Sequence, residues 1–157
     1  MLLRALALGA ACAVASVSLL ACSDDEDSGV GDLVWTKGPN VYRQENLPRD
    51  RVLVGMIRND SLRRIRLQAK DVHPVDEDGN PLRGNATFIR GYIHPLYPPT
   101  RPPRGGLPES ELERLGRLIR LDPGKTAPLA VAWRVPAGKK GAARIEYGSG
   151  WLPVAGR

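Results

Sequence analysis

Cysteine is almost absent from this chain of 157 residues: Cys12 and Cys22 are the only two, and both lie near the N-terminus. Everything beyond residue 22 therefore lacks a thiol, which excludes disulfides, cysteine nucleophiles and thiolate metal sites there. Histidine is scarce too. His73 and His94 stand far apart, each followed by proline, so no His-x-x-x-His pair can seat zinc; a site would need both plus a carboxylate such as Asp71. Beyond residue 32 the serines are Ser61, Ser110 and Ser149, none in the Gly-x-Ser-x-Gly elbow of a hydrolase. Gly124-Lys125-Thr126 lacks the preceding glycine of a phosphate-cradling loop. The acids cluster in a turn and at a helix start, where structural roles suffice. No cofactor is expected.

What the chain does have begins at its N-terminus. Met1–Arg4 is a short basic start, Ala5–Leu20 is apolar or small throughout, and Leu19-Leu20-Ala21-Cys22 closes the run. This layout resembles a bacterial lipoprotein signal with its lipobox, carried by about the first 22 residues. The resemblance implies export, removal of residues 1–21, and lipid on Cys22, with more than one acyl chain needed for stable anchoring. It places the protein on the outer face of the cytoplasmic membrane or on an outer membrane. Two other readings exist. Ordinary signal cleavage after Ala21 is poorly served by Leu19, and an uncleaved anchor needs roughly 20 apolar residues.

Residues 22–32 form a tether: Ser23 to Asp32 holds five acids, no base, and only Val30 as an apolar side chain. Such a stretch cannot bury enough surface to order itself. Residues 33–157 are the right length for one domain. Setting aside Arg4 and the five tether acids leaves 22 basic and 12 acidic side chains there, a charge of about +10. Such a balance favours acidic neighbours, among them anionic headgroups, envelope polymers and the tether itself. Export makes nucleic acid an unsuitable partner, and the Arg63, Arg64, Arg66 group reads as the wet face of a strand.

The domain reads as strands. In Arg51–Arg58, Val52, Val54 and Met56 share one face and Leu53 and Ile57 the other, with Asn59-Asp60-Ser61 as turn chemistry. In Leu62–Val72, Ile65, Leu67 and Ala69 alternate with Arg64, Arg66, Gln68 and Lys70, the pattern of a half-buried strand. Asp76–Asn80 is a turn carrying Asp-Gly; as a calcium loop it fails, because Pro74 stands where an oxygen ligand is needed and Asn85 where the loop needs a Glu. Val41–Leu47 and Asn85–Tyr92 are further strands. Asp122-Pro123-Gly124-Lys125 suits a type II turn. Leu129, Val131, Trp133 and Val135 then share a face, as do Ala143, Ile145 and Tyr147, and Trp151–Val154 reads as an edge strand. The fold class expected is mainly β, an antiparallel β-sandwich.

Val54–Ser61, Val75–Gly79 and Leu121–Lys125 together resemble the FxLYD-type immunoglobulin-like domains of bacterial lipoproteins, over roughly residues 51–150. The resemblance implies an immunoglobulin-like sandwich that serves as an adhesion or accessory module. The chain departs from that pattern at Pro74-Val75, and by an insertion at 94–121.

The insertion opens with five prolines between His94 and Arg104 and passes through Gly105-Gly106. A short helix follows, with Ser110 as N-cap, Glu113 at the third position, and Leu112, Leu115 and Ile119 on one face. Tyr92, Tyr97, Arg101 and Arg104 offer aromatic and guanidinium contacts to a partner, and Arg64 and Arg66 offer contacts to an anionic polymer. A plainer role for the insertion is to cover an open sheet edge. The functional expectation is a membrane-anchored, non-catalytic binding or accessory module that contacts an envelope protein or polymer. An envelope enzyme with an unrecognised site and a purely structural lipoprotein are the alternatives.

Overall fold

The computed structural model describes residues 31–90, 94–96, 105–148 and 150–154. Residues 1–30, on which the expected signal, Cys22 and most of the expected tether fall, and Tyr92, Tyr97, Arg101 and Arg104 lie outside the described residues. Nine strands and one short helix follow in order: β1 Leu33–Gln44, β2 Leu47–Asn59, β3 Ile65–Gln68, β4 Val72–Val75, β5 Gly84–Thr87, α1 Glu109–Arg114, β6 Leu118–Leu121, β7 Thr126–Arg134, β8 Arg144–Tyr147 and β9 Gly150–Pro153. All pairings are antiparallel. One layer is a four-stranded sheet in the order β1-β2-β7-β5; β3-β6 and β4-β8-β9 make two smaller sheets. The fold is mainly β, as the alternation requires.

The alternation in β2 and β7 fills the core. Leu53, Ile57, Leu129, Val131 and Trp133, each at most 1 % exposed, meet Leu67, Val72, Ile145 and Leu152 from the smaller sheets. On the reverse face, Val52 packs with Ala130, Ala132 and Val54 as a separate small cluster. Such a two-sided pattern lets each long strand be apolar on both faces while keeping strict period two. The Trp133 indole N–H is buried without a hydrogen-bond partner among the described residues.

Four local readings change. Val41–Leu47 is not one strand: β1 ends at Gln44, Glu45-Asn46 turns, and β2 starts at Leu47. The turn lacks glycine, so no breaker advertises it. Leu62–Val72 is likewise divided. β3 ends at Gln68, a 3-10 turn spans Ala69–Asp71, and β4 pairs with β8 rather than continuing beside β6. The helix is shorter than its pattern suggests. Its N-cap is Pro108, with no side-chain cap, so Ser110 does not cap it. It stops at Arg114 because Gly116 takes a φ of +64°. Ile119 therefore belongs to β6, and the last four residues read with the insertion are a strand of the fold, paired with β3.

Turn chemistry is followed closely elsewhere. Lys125 N–H donates to Asp122 O at 3.0 Å and Gly124 sits at φ +73°, the left-handed position of a type II turn. Asp76 Oδ1 accepts from Asp78 N–H and Asn80 N–H at 3.0 and 2.8 Å. Strand β9 lies at a sheet edge, where Pro153 costs no ladder bond.

Candidate binding surfaces

The two arginines singled out on β3 and before it are not open cations. Arg64 Nε meets Asp122 Oδ1 and Arg66 Nη2 meets Glu109 Oε1, each at 2.5 Å. Arg120 reaches Glu109 and Glu113, and Arg63 reaches Asp32, just before β1, at 3.0 Å. The Arg66 hydrogen bond holds the Glu109 carboxyl below its usual range. These are exposed pairs, screened by solvent. They cancel most of the charge that the sequence concentrates between Arg63 and Arg66.

A different cationic group forms at one end of the four-stranded sheet. Register sets Arg43 opposite Arg51 across the β1-β2 ladder, and Asp50 opposite Arg134 across β2-β7. Val135 N–H donates to Arg49 O and Arg134 N–H donates to Arg83 O, at 2.8 and 3.1 Å. Five arginines thus surround the end of the β2-β7 ladder. Burial and the Arg43 charge both push the Arg51 guanidinium below its usual value. Of the acids there, Asp50 is fully buried and bound by Arg134 Nε and Nη2 at 2.6 and 3.0 Å, while Glu45 is exposed in the hairpin turn. Arg49, Arg83 and Arg134 share a hollow of about 270 Å³ with Leu82, Leu96 and Pro136. The start of the domain lies at the other end of the same ladder, where Leu33 pairs with Asn59. The eight steps of β2 from Asn59 to Arg51 separate the two ends by roughly 27 Å.

A cleft of about 430 Å³ opens beside β5, between the 3-10 turn, β4, β5 and α1. Ala69, Val72, Ala86, Leu107 and Leu112 give it apolar walls, and Gln68, Lys70, His73, Asn85 and Arg117 give it polar ones. His94 is elsewhere: its Nδ1 accepts from Leu96 N–H at 3.1 Å. The Asn85 side chain donates to the carbonyls of His94 and Pro95 at 2.8 and 3.0 Å, fixing the start of the proline-rich segment against β5. Across the β4-β8 ladder His73 stands opposite Glu146, and no group of three metal-ligating side chains occurs among the described residues. Tyr92, Tyr97, Arg101 and Arg104, the recognition residues expected in the insertion, lie outside the described residues.

Neither the distal arginines nor the cleft has a local sequence signature. Arg43, Arg49, Arg51, Arg83 and Arg134 are scattered over the chain, and only strand register gathers them. No protein-family model, no curated protein and no solved structure matches the chain.

Proposed function

We propose that the protein is an exported lipoprotein, anchored through lipid on Cys22, whose domain is a non-catalytic binding module for an anionic envelope polymer. The observation that carries this reading is the separation of the two ends of the β1-β2 ladder. Leu33 follows the tether at one end, and Arg43, Arg49, Arg51 and Arg83 stand at the other. A membrane anchor at residue 22 would leave the arginine end free to face away from the bilayer. Guanidinium groups suit such a polymer because their planar forks pair two-pronged with carboxylate and phosphate oxygens. Arg64 and Arg66 take second place in this role, since Asp122 and Glu109 already hold them.

The test is retention of the full chain on immobilised anionic cell-wall material. Binding should weaken steadily with salt, as expected of exposed charges. The double variant R49S/R83S should elute at clearly lower salt than the wild type, and R64S/R66S should elute close to it. Retention that survives high salt, or that R49S/R83S leaves unchanged, would overturn the assignment.

A further inference from the structure

The cleft beside β5 lies on the side of that strand turned away from β7. In an antiparallel ladder alternate residues turn both their N–H and C=O toward the partner strand. Arg134 N–H donates to Arg83 O, and the register pairs Asn85 with Ala132 and Thr87 with Ala130. Residues 83, 85 and 87 therefore bond to β7, while Leu82, Gly84, Ala86 and Phe88 turn their backbone groups away from it. Leu82 N–H is taken by Pro74 O and Phe88 N–H by Gly116 O, both at 2.8 Å. At Gly84 the gap is closed, since a Cβ there would stand 3.0 Å from Pro74 Cγ. Between these closures lies Ala86, only 9 % exposed, which lines the cleft and whose backbone N–H the register turns away from β7. A backbone N–H that β7 does not take needs another acceptor.

The neighbouring side chains state what kind of acceptor would suit. Lys70 lines the same cleft, is exposed, and forms no ion pair with a described carboxylate. His73 and the amides of Gln68 and Asn85 add hydrogen-bonding groups, and no Asp or Glu is among the described lining residues. Ala69, Val72, Leu107 and Leu112 leave the remainder apolar. The volume of about 430 Å³ lies within the range of small-molecule sites, which combine an apolar lining with a few placed polar groups.

We infer that this cleft binds a small carboxylate with an apolar body, the carboxylate lying between the Ala86 N–H and the Lys70 ammonium and the body lying against Leu107 and Leu112. The site is separate from the arginine end and does not depend on the polymer-binding role. Octanoate is a suitable probe, with octylamine as a control of equal length and opposite charge.

In amide-resolved NMR of the isotopically labelled full chain, millimolar octanoate should shift the Lys70, Ala86 and Leu107 resonances in a saturable way, and octylamine should not. Losing a charge-assisted hydrogen bond weakens binding roughly tenfold, which is the effect expected of K70A. L112W, which fills the cleft from a partly exposed position, should abolish the shifts while the rest of the spectrum stays folded. R49S/R83S should bind octanoate normally, so failure at the arginine end would leave this inference intact. Equal response to octylamine, no saturable shift at Ala86, or wild-type affinity in K70A would overturn it.

Discussion

Arg134 grips Asp50 with both Nε and Nη2, at 2.6 and 3.0 Å, and Asp50 is fully shielded from water while Arg134 keeps 38 % of its side chain exposed. The pair bridges β2 and β7 where the register brings them level. Removing one partner of a buried pair leaves the other's charge poorly compensated. Asp50→Ala should therefore cost about 3 kcal/mol of stability, read as a lower urea midpoint at unchanged m-value. Arg134→Ala added to Asp50→Ala should cost less than it does alone. Additive losses would show that the two side chains act independently.

Asn59 is the second buried polar anchor. Its Nδ2 donates to Arg63 O and Leu121 O at 2.7 and 2.8 Å, and its Oδ1 accepts from Ser61 N–H and Ser61 Oγ–H at 2.9 and 2.8 Å. Its backbone also clasps the Pro-Gly turn, through Gly124 N–H to Asn59 O and Asn59 N–H to Lys125 O. Asn59→Ala strands several of these groups and should cost about 3 kcal/mol. Ser61→Ala should cost about 1 kcal/mol or less, because it removes one hydroxyl at a partly exposed site. Equal losses by urea denaturation would contradict the hub role of Asn59.

The Asp76 turn gives a pH signature. The Asn80 backbone N–H is the largest influence holding this carboxyl below the usual carboxylate range; burial opposes it, and the Asn80 side chain, the Asp78 N–H and the Lys139 charge assist. A depressed folded value means that the unfolded chain protonates first, near pH 4. The stabilisation is thus complete above that pH and is lost as pH falls through the folded value. Asp76→Asn should be less stable than the wild type at pH 7, and the gap should narrow below about pH 4. Denaturation curves across pH check this, and a constant gap would contradict it.

The anchor is tested at Cys22. Cys22→Ala should leave the chain unlipidated and move it from the membrane fraction to the soluble one. A variant that remained both uncleaved and membrane-bound would identify residues 1–21 as an anchor instead.

Legibility followed the length of each pattern. In β7, Leu129, Val131 and Trp133 alternate over a long uninterrupted strand, and all three are core. Asp122–Lys125 was equally plain, because proline and glycine restrict φ in known ways. Leu62–Val72 misled because alternation continues smoothly from β3 through a turn that changes sheets. Periodicity reports which face is buried but not which strand lies alongside. Ser110 misled because a capping box is a local preference, and the helix began at Glu109 after Pro108 instead.

By itself the sequence determined the strand-rich class, the buried faces of the long strands, the principal turns and the thiol-free domain. Those follow from side-chain hydrophobicity, backbone sterics and composition, which act over a few residues. Tertiary structure alone decided where the charge stands. Arg63, Arg64 and Arg66 are adjacent in sequence, yet Asp32, Asp122 and Glu109 come from far along the chain to pair with them. Arg43, Arg49, Arg51, Arg83 and Arg134 are dispersed, yet antiparallel register collects them at one sheet end. Electrostatic grouping depends on distance in space, and in a sheet that distance is set by which strands pair and in what register, not by separation along the chain.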